Sequence, residues 1–215
     1  MSVSDVLKWA DGRGWLILSG GNDSLSEIRA MALGRTNVDG SIVYIGLDED
    51  DGEDVLDDMS ELGAPTGYLV NIMTEDDNTI KERIAESSLI VIPDEYHPKQ
   101  LKSALAGAGI GAIRSAYERG AVILAEGGAM TLFGKLFSDQ NENLLAGFGF
   151  VEDTLLISGV ETLAESDIAV SALNSSAINF ALGIGVGSAL VLGSTNIVET
   201  WGKKQVSIAL GGSKS

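Results

Sequence analysis

The chain has no cysteine, so it can form no disulfide, bind no metal through a thiolate and use no thiol nucleophile. It has one histidine, His97, so any scheme with an imidazole general base must use that residue. Basic residues are scarce, 14 against 31 acids, and the net charge is −17. A surface of that sign repels polyanions, so nucleic acid and anionic membrane are not expected partners. No apolar run reaches the roughly 18 uninterrupted residues that would suggest a membrane span. The stretch from Met1 to Asp11 has no basic segment leading into an apolar one, so a leader peptide is not expected and a cytoplasmic location is the default. Nothing in the sequence points to a cofactor or a resident metal.

What is present suits a folded α/β domain. The 215 residues are 45% hydrophobic, enough for a sizeable core, with no linker or repeat, so residues 1–215 read as a single domain. Apolar runs expected as buried strands are 15–19, 41–45, 67–71, 88–92 and 121–125. Between them, helices are expected over 24–33, with Ser24 and Glu27 as a capping box, then over 53–62 and 78–86. Pro98 opens another helix with His97 as its cap, and that helix runs to Arg119 with a bend around Gly107, Gly109 and Gly111. A helix over 129–137 follows, and residues 150–210 hold short strands at 154–158, 189–192 and 205–210. Unbroken apolar strands alternating with helices predict a three-layer, doubly wound, mostly parallel sheet.

In such a fold the loops at the carboxyl ends of the strands build the site. Here they contain Gly20, Gly21 and Asn22, then Asp48, then Asp94, Glu95 and His97, then Glu126, Gly127 and Gly128. The Gly20-Gly21-Asn22 turn lacks the spacing of a dinucleotide fingerprint and the lysine of a P-loop, but its amides suit a ligand carboxylate. Acids crowd residues 48–58 without the alternate spacing of a calcium loop, so they read as a solvated segment favouring the start of the next helix.

The segment Ala125-Glu126-Gly127-Gly128-Ala129 follows a strand and enters a helix, the setting of a nucleophile elbow. Glu126 stands where a hydrolase would place its nucleophile. Two readings stay open: a relic position whose carboxylate is held by backbone amides, or rebuilt chemistry in which Glu126 and His97 form an acid–base pair or, with Asp94 or Glu95, a small metal site.

The order of these pieces resembles the cyanophycinase and dipeptidase E group, peptidase family S51 of the class I glutamine-amidotransferase-like, flavodoxin-like superfamily. The matching pieces are Leu16–Gly21, Leu89–Ile92, Asp94–Leu101 with Gln100, Tyr117–Gly120, Leu124–Ala129 and Leu182–Leu192. The resemblance implies a serine peptidase acting on acidic dipeptides or β-aspartyl-linked polymers, and a homodimer. The departures imply a loss of that activity. Glu126 replaces the serine, Leu124 replaces a glycine, residues 155–165 lack the family's histidine, and Gly187-Ser188 replaces an acidic pair. The expected product is a non-peptidase that keeps a pocket for a small molecule or peptide, with Glu126 and His97 as catalytic candidates. Gly20, Gly21, Asn22, Asp94, Glu95, Gln100, Gly127 and Gly128 are the ligand-binding candidates.

Overall fold

The computed structural model describes residues 7–21, 25–36, 40–48, 52–65, 67–164 and 166–211. Asn22, Ser24 and residues 49–51 of the acidic segment lie outside them.

Strands β1 (Trp15–Ser19), β2 (Ser41–Gly46), β3 (Gly67–Asn71), β4 (Ser87–Ile92) and β5 (Val122–Glu126) alternate with helices α1 (Leu25–Leu33), α2 (Glu53–Glu61), α3 (Asp77–Ala85), α4 (Pro98–Leu105) and α5 (Ala108–Arg119). The five strands pair in parallel in the order β3-β2-β4-β5-β1. Two later strands, β10 (Ser188–Gly193) and β11 (Ile197–Gly202), add antiparallel beyond β1, giving seven strands.

Alternation along each strand supplies both faces of this sheet. Ile17, Tyr44, Val91 and Leu124 meet Ile28 of α1 and Val55 and Met59 of α2 on one face. Leu18, Ile45, Ile92 and Ala125 meet Ile80 of α3, Leu101 of α4 and Ile113 of α5 on the other. The result is the expected three-layer α/β arrangement. Each fully buried Leu or Ile contributes about 1.5–3 kcal/mol, so this pattern is the main source of stability.

The second half departs from the expected reading. The helix after β5 is one short turn, α6 (Gly128–Thr131), and does not run to Phe137. Thr131 Oγ1 bonds back to Gly128 O, and Lys135 N is taken by Thr154 O, which turns the chain into β6 (Leu136–Ser138). A second sheet of five strands follows. It adds β7 (Leu144–Ala146), β8 (Thr154–Ser158), β9 (Phe180–Ile184) and β12 (Val206–Leu210), in the order β12-β9-β8-β6-β7, with α7 (Asp167–Asn174). Phe137, Leu156, Leu182 and Ile184 of this sheet join the α3–α5 face of the first core. No helix among the described residues is long and apolar enough to cross a membrane.

Helix α3 shows how local chemistry sets an element's start. Asp76 caps it, accepting from Asn78 N at 2.9 Å and Thr79 N at 3.2 Å, with Thr79 Oγ1 at 2.7 Å. The Thr79 hydroxyl first, then the two amides, hold the Asp76 carboxyl below the usual range. A carboxyl lowered on folding stabilises above its unfolded pKa, and that stabilisation disappears as pH falls through the folded value. Asp76→Ala is therefore expected to lower Tm at neutral pH, with a deficit that vanishes in acid. Thermal unfolding followed by circular dichroism across that range checks it.

Candidate functional site at the elbow

Strand parity decides where the elbow side chains go. Leu124 faces α1 and α2, and Ala125 faces the opposite core. Glu126 must then turn back toward α1, and it does. Its side chain is 1% exposed and is clamped by Arg29 of α1, with Nε to Oε1 and Nη2 to Oε2 both at 2.9 Å. Arg29 Nη1 reaches Asp58 Oδ2 of α2 at 3.2 Å, so one buried guanidinium ties β5 to two helices. Burial pushes the Glu126 carboxyl above its ordinary value, against the pull of Arg29, while Asp94 and Glu95 push it further up. Burial works against the Arg29 charge, but Glu126 and Asp58 together hold that group above its ordinary value.

The placement of Glu126 differs from both expectations: its carboxylate is held by the Arg29 side chain, not by backbone amides, and it turns toward the α1–α2 face of the sheet. Among the described residues no hydrogen bond joins it to His97, and no three His, Asp or Glu side chains are grouped to hold a metal ion.

The apex of the turn is Gly127, at φ 50° and ψ −123°. That strained conformation belongs to the nucleophile of a strand-to-helix elbow. Here the apex has no side chain. A Cβ placed on Gly127 would fall on the Oδ2 and Cγ atoms of Asp94. Asp94 reaches across from the loop after β4, its Oδ1 accepts from Gly128 N, and its Oδ2 stands against Gly21. Burial pushes the Asp94 carboxyl above the usual range, and the Gly128 amide opposes the shift. The same loop is tied over the end of β2, where Tyr96 Oη accepts from Leu47 N at 3.0 Å.

The expected ligand cradle is closed from within. Gly20 N donates to Ser188 O at 2.9 Å and Gly21 N to Ser19 Oγ at 3.4 Å. Gly127 N donates to Ser19 O at 2.9 Å, and Gly128 N is taken by Asp94. Gly20 is glycine because a side chain there would collide with the carbonyls of Ile184 and Gly185. Gly20 and Gly21 were expected to offer amides to a ligand, with Gly127 and Gly128 as further binding candidates, and each of the four amides already has a partner inside the chain. The loops do meet as the fold class predicts, but they satisfy one another. Glu95 is exposed.

An open cleft of about 300 Å³ lies beside α6. His97, Gly128, Thr131, Ser138, Ser158 and Ser166 give it a polar wall, and Leu156, Ile157 and Ile168 an apolar one. A hollow of about 340 Å³ continues past His97, Asp139 and Gln140 to Lys99, Gln100 and Ser103. His97 precedes Pro98 at the start of α4 as expected, but its side chain makes no capping bond, and the ring borders both hollows. A somewhat larger hollow between α3 and α5 is lined by Gly107, Gly111 and Ser115 and lies away from the elbow.

Arg29, Asp58 and the apex role of Gly127 had no place in the sequence reading. Counting alternate residues from Leu124 would have turned Glu126 away from the cleft, and a Gly-Gly pair straight after a strand is a signal for positive φ at the turn.

No protein-family model matches the sequence, and no curated protein matches it. Solved structures do. A peptidase from an acI-B1 Actinobacterium superposes with a TM-score of 0.74 at 16% identity, over 94% of this chain and 93% of that one. A protein described as peptidase E-like from Listeria monocytogenes EGD-e superposes with a TM-score of 0.63 at 12% identity, over 88% of this chain and 98% of that one. The chain has a peptidase E-like fold. In this chain the turn after β5 has glycine at its apex, and the Asp94 carboxylate stands where a side chain on that residue would be.

Proposed function

We propose that the protein is a non-hydrolytic relative of the peptidases whose fold it shares, and that it binds a small polar molecule or peptide in the cleft beside the elbow. One observation carries the first part: the Asp94 carboxylate fills the space of the apex side chain and occupies the Gly128 amide. Acyl transfer needs a nucleophile and free donors for the developing oxyanion. Gly127 provides no nucleophile, and the neighbouring amides are engaged. Losing one member of a nucleophile–base pair removes several orders of magnitude in rate. The cleft supports the second part, because it joins hydroxyls and an imidazole to an apolar wall, the mixture common to small-molecule pockets.

Incubation with aspartyl dipeptides and β-aspartyl-arginine peptides is expected to give no turnover, and a fluorophosphonate probe is expected to leave the chain unlabelled. Amide NMR with the same dipeptides is expected to shift resonances of His97, Thr131 and Ser158. Turnover, or a phosphonylated serine, would overturn the non-hydrolytic reading. Dipeptide shifts clustered away from the cleft would overturn the binding site.

A further inference from the structure

Closing the elbow with Asp94 reverses the sign of the charge it presents. An acyl-transfer site aims backbone N–H groups at a developing negative oxygen. Here those donors are engaged: Gly127 N bonds Ser19 O, and Gly128 N bonds Asp94 Oδ1. The turn presents the other carboxylate oxygen instead. Asp94 Oδ2 stands over Gly21 and Gly127, and neither residue has a side chain to cover it.

No group of the chain balances that oxygen. Among the described residues Oδ2 accepts no hydrogen bond, and Asp94 forms no ion pair. The Gly128 amide opposes the burial of the Asp94 charge without help from a lysine or arginine. Arg29 aims its three nitrogens at Glu126 and Asp58. Asp94 and Glu95 act on Glu126 as like charges, so the surroundings of Asp94 are acidic as well.

This oxygen stands at one end of the cleft. Asp94 is an exposed residue. A Cβ on Gly128 would lie 3.2 Å from Asp94 Oδ1 and 3.3 Å from Pro98 Cγ, and both Gly128 and Pro98 line the hollow of about 300 Å³. Leu156, Ile157 and Ile168 form its apolar wall. Asp139, the acid on the far side, is already satisfied. It accepts from Asn141 N and Asn143 N, both at 2.9 Å, and from Asn143 Nδ2 at 3.2 Å.

We propose that Asp94 is a specificity-determining residue, and that the group a ligand places at the elbow is a primary ammonium, with an apolar body along Leu156, Ile157 and Ile168. The proposal rests on the reading of the cleft as a ligand site. An ammonium brings donors and positive charge, the complement of an unpaired carboxylate oxygen. A carboxylate or a carbonyl oxygen meets the opposite, repulsion from Asp94 and no free amide. The side chain that closes the elbow to acyl transfer thus selects what the cleft accepts.

Isoamylamine, isoamyl alcohol and isocaproate share one apolar body and differ in charge. Each is titrated into the full chain at neutral pH and followed by amide NMR. The amine is expected to shift Gly128, Thr131 and Ser158 and to bind at least about tenfold tighter than the alcohol, as a charge-assisted hydrogen bond allows. Isocaproate is expected to leave those resonances in place. Asp94→Asn keeps an oxygen for Gly128 N and removes the charge. It is expected to bring the amine to the level of the alcohol, with unchanged circular dichroism. An alcohol or carboxylate that binds at the cleft as well as the amine does would overturn the ammonium and leave the cleft reading standing. So would amine binding that is indifferent to Asp94→Asn, or amine shifts confined to other acidic segments. Cleft resonances that move with none of these probes, nor with the aspartyl dipeptides, would overturn the cleft reading and this proposal with it.

Discussion

Arg29→Ala is expected to destabilise the protein by about 3–5 kcal/mol, the largest loss of any single surface-to-core contact described, because it strands a buried carboxylate. Glu126 is 1% exposed, and both its oxygens are bonded to that one guanidinium. Without Arg29, the charge has no partner and no water, and the group must protonate or drag the end of β5 out of register with β1. Asp58 loses its hydrogen bond as well, which loosens α2. At this chain length the loss corresponds to a fall in Tm of roughly 10 °C or more. Replacing the pair together, Arg29→Met with Glu126→Leu, is expected to recover most of it, since a buried ion pair often contributes little beyond an apolar pair of similar volume. Chemical denaturation of the three variants measures this, and an Arg29→Ala variant within about 1 kcal/mol of the parent would show that the clamp is not formed.

Gly127→Ser, the substitution that would place a hydroxyl at the apex, is expected to destabilise by about 3 kcal/mol without producing turnover. Two effects add. Any Cβ at φ 50° is strained, and this Cβ collides with the Asp94 carboxylate. Asp94 must leave, and the Gly128 amide loses its acceptor. The added hydroxyl would still lack a base, because among the described residues the sole imidazole, His97, has no hydrogen bond to a group at the apex. Denaturation midpoints and the dipeptide assay read both halves of this expectation.

The first half of the fold was legible because its signals are local. Runs such as Leu16-Ile17-Leu18 and Ile90-Val91-Ile92 are apolar on both faces, which only a covered parallel strand requires. The second sheet was not, since β6 and β7 are three residues each and are set by long-range bonds such as Lys135 N to Thr154 O. A helix pattern over 129–137 carries no local stop before Gly134, whose Cβ would meet Thr154 O at 2.8 Å, again a contact from far along the chain. At the site, the meeting of the four loops was legible from topology. The partner of Glu126 was not, because nothing near Arg29 in sequence marks it as the one base of α1 aimed at β5. The occupation of the apex by Asp94 was also hidden, since it depends on a side chain crossing between two loops.

The closed elbow rests on that crossing, and a double-mutant cycle between Asp94→Ala and Gly127→Ala measures it. If the carboxylate fills the apex, Gly127→Ala is costly in the parent chain and much cheaper once Asp94 is alanine. The predicted coupling is about 1–3 kcal/mol, with the double variant more stable than the sum of its parts. Additivity to within about 0.5 kcal/mol would mean that Asp94 and the apex do not touch, and the elbow would have to be regarded as open.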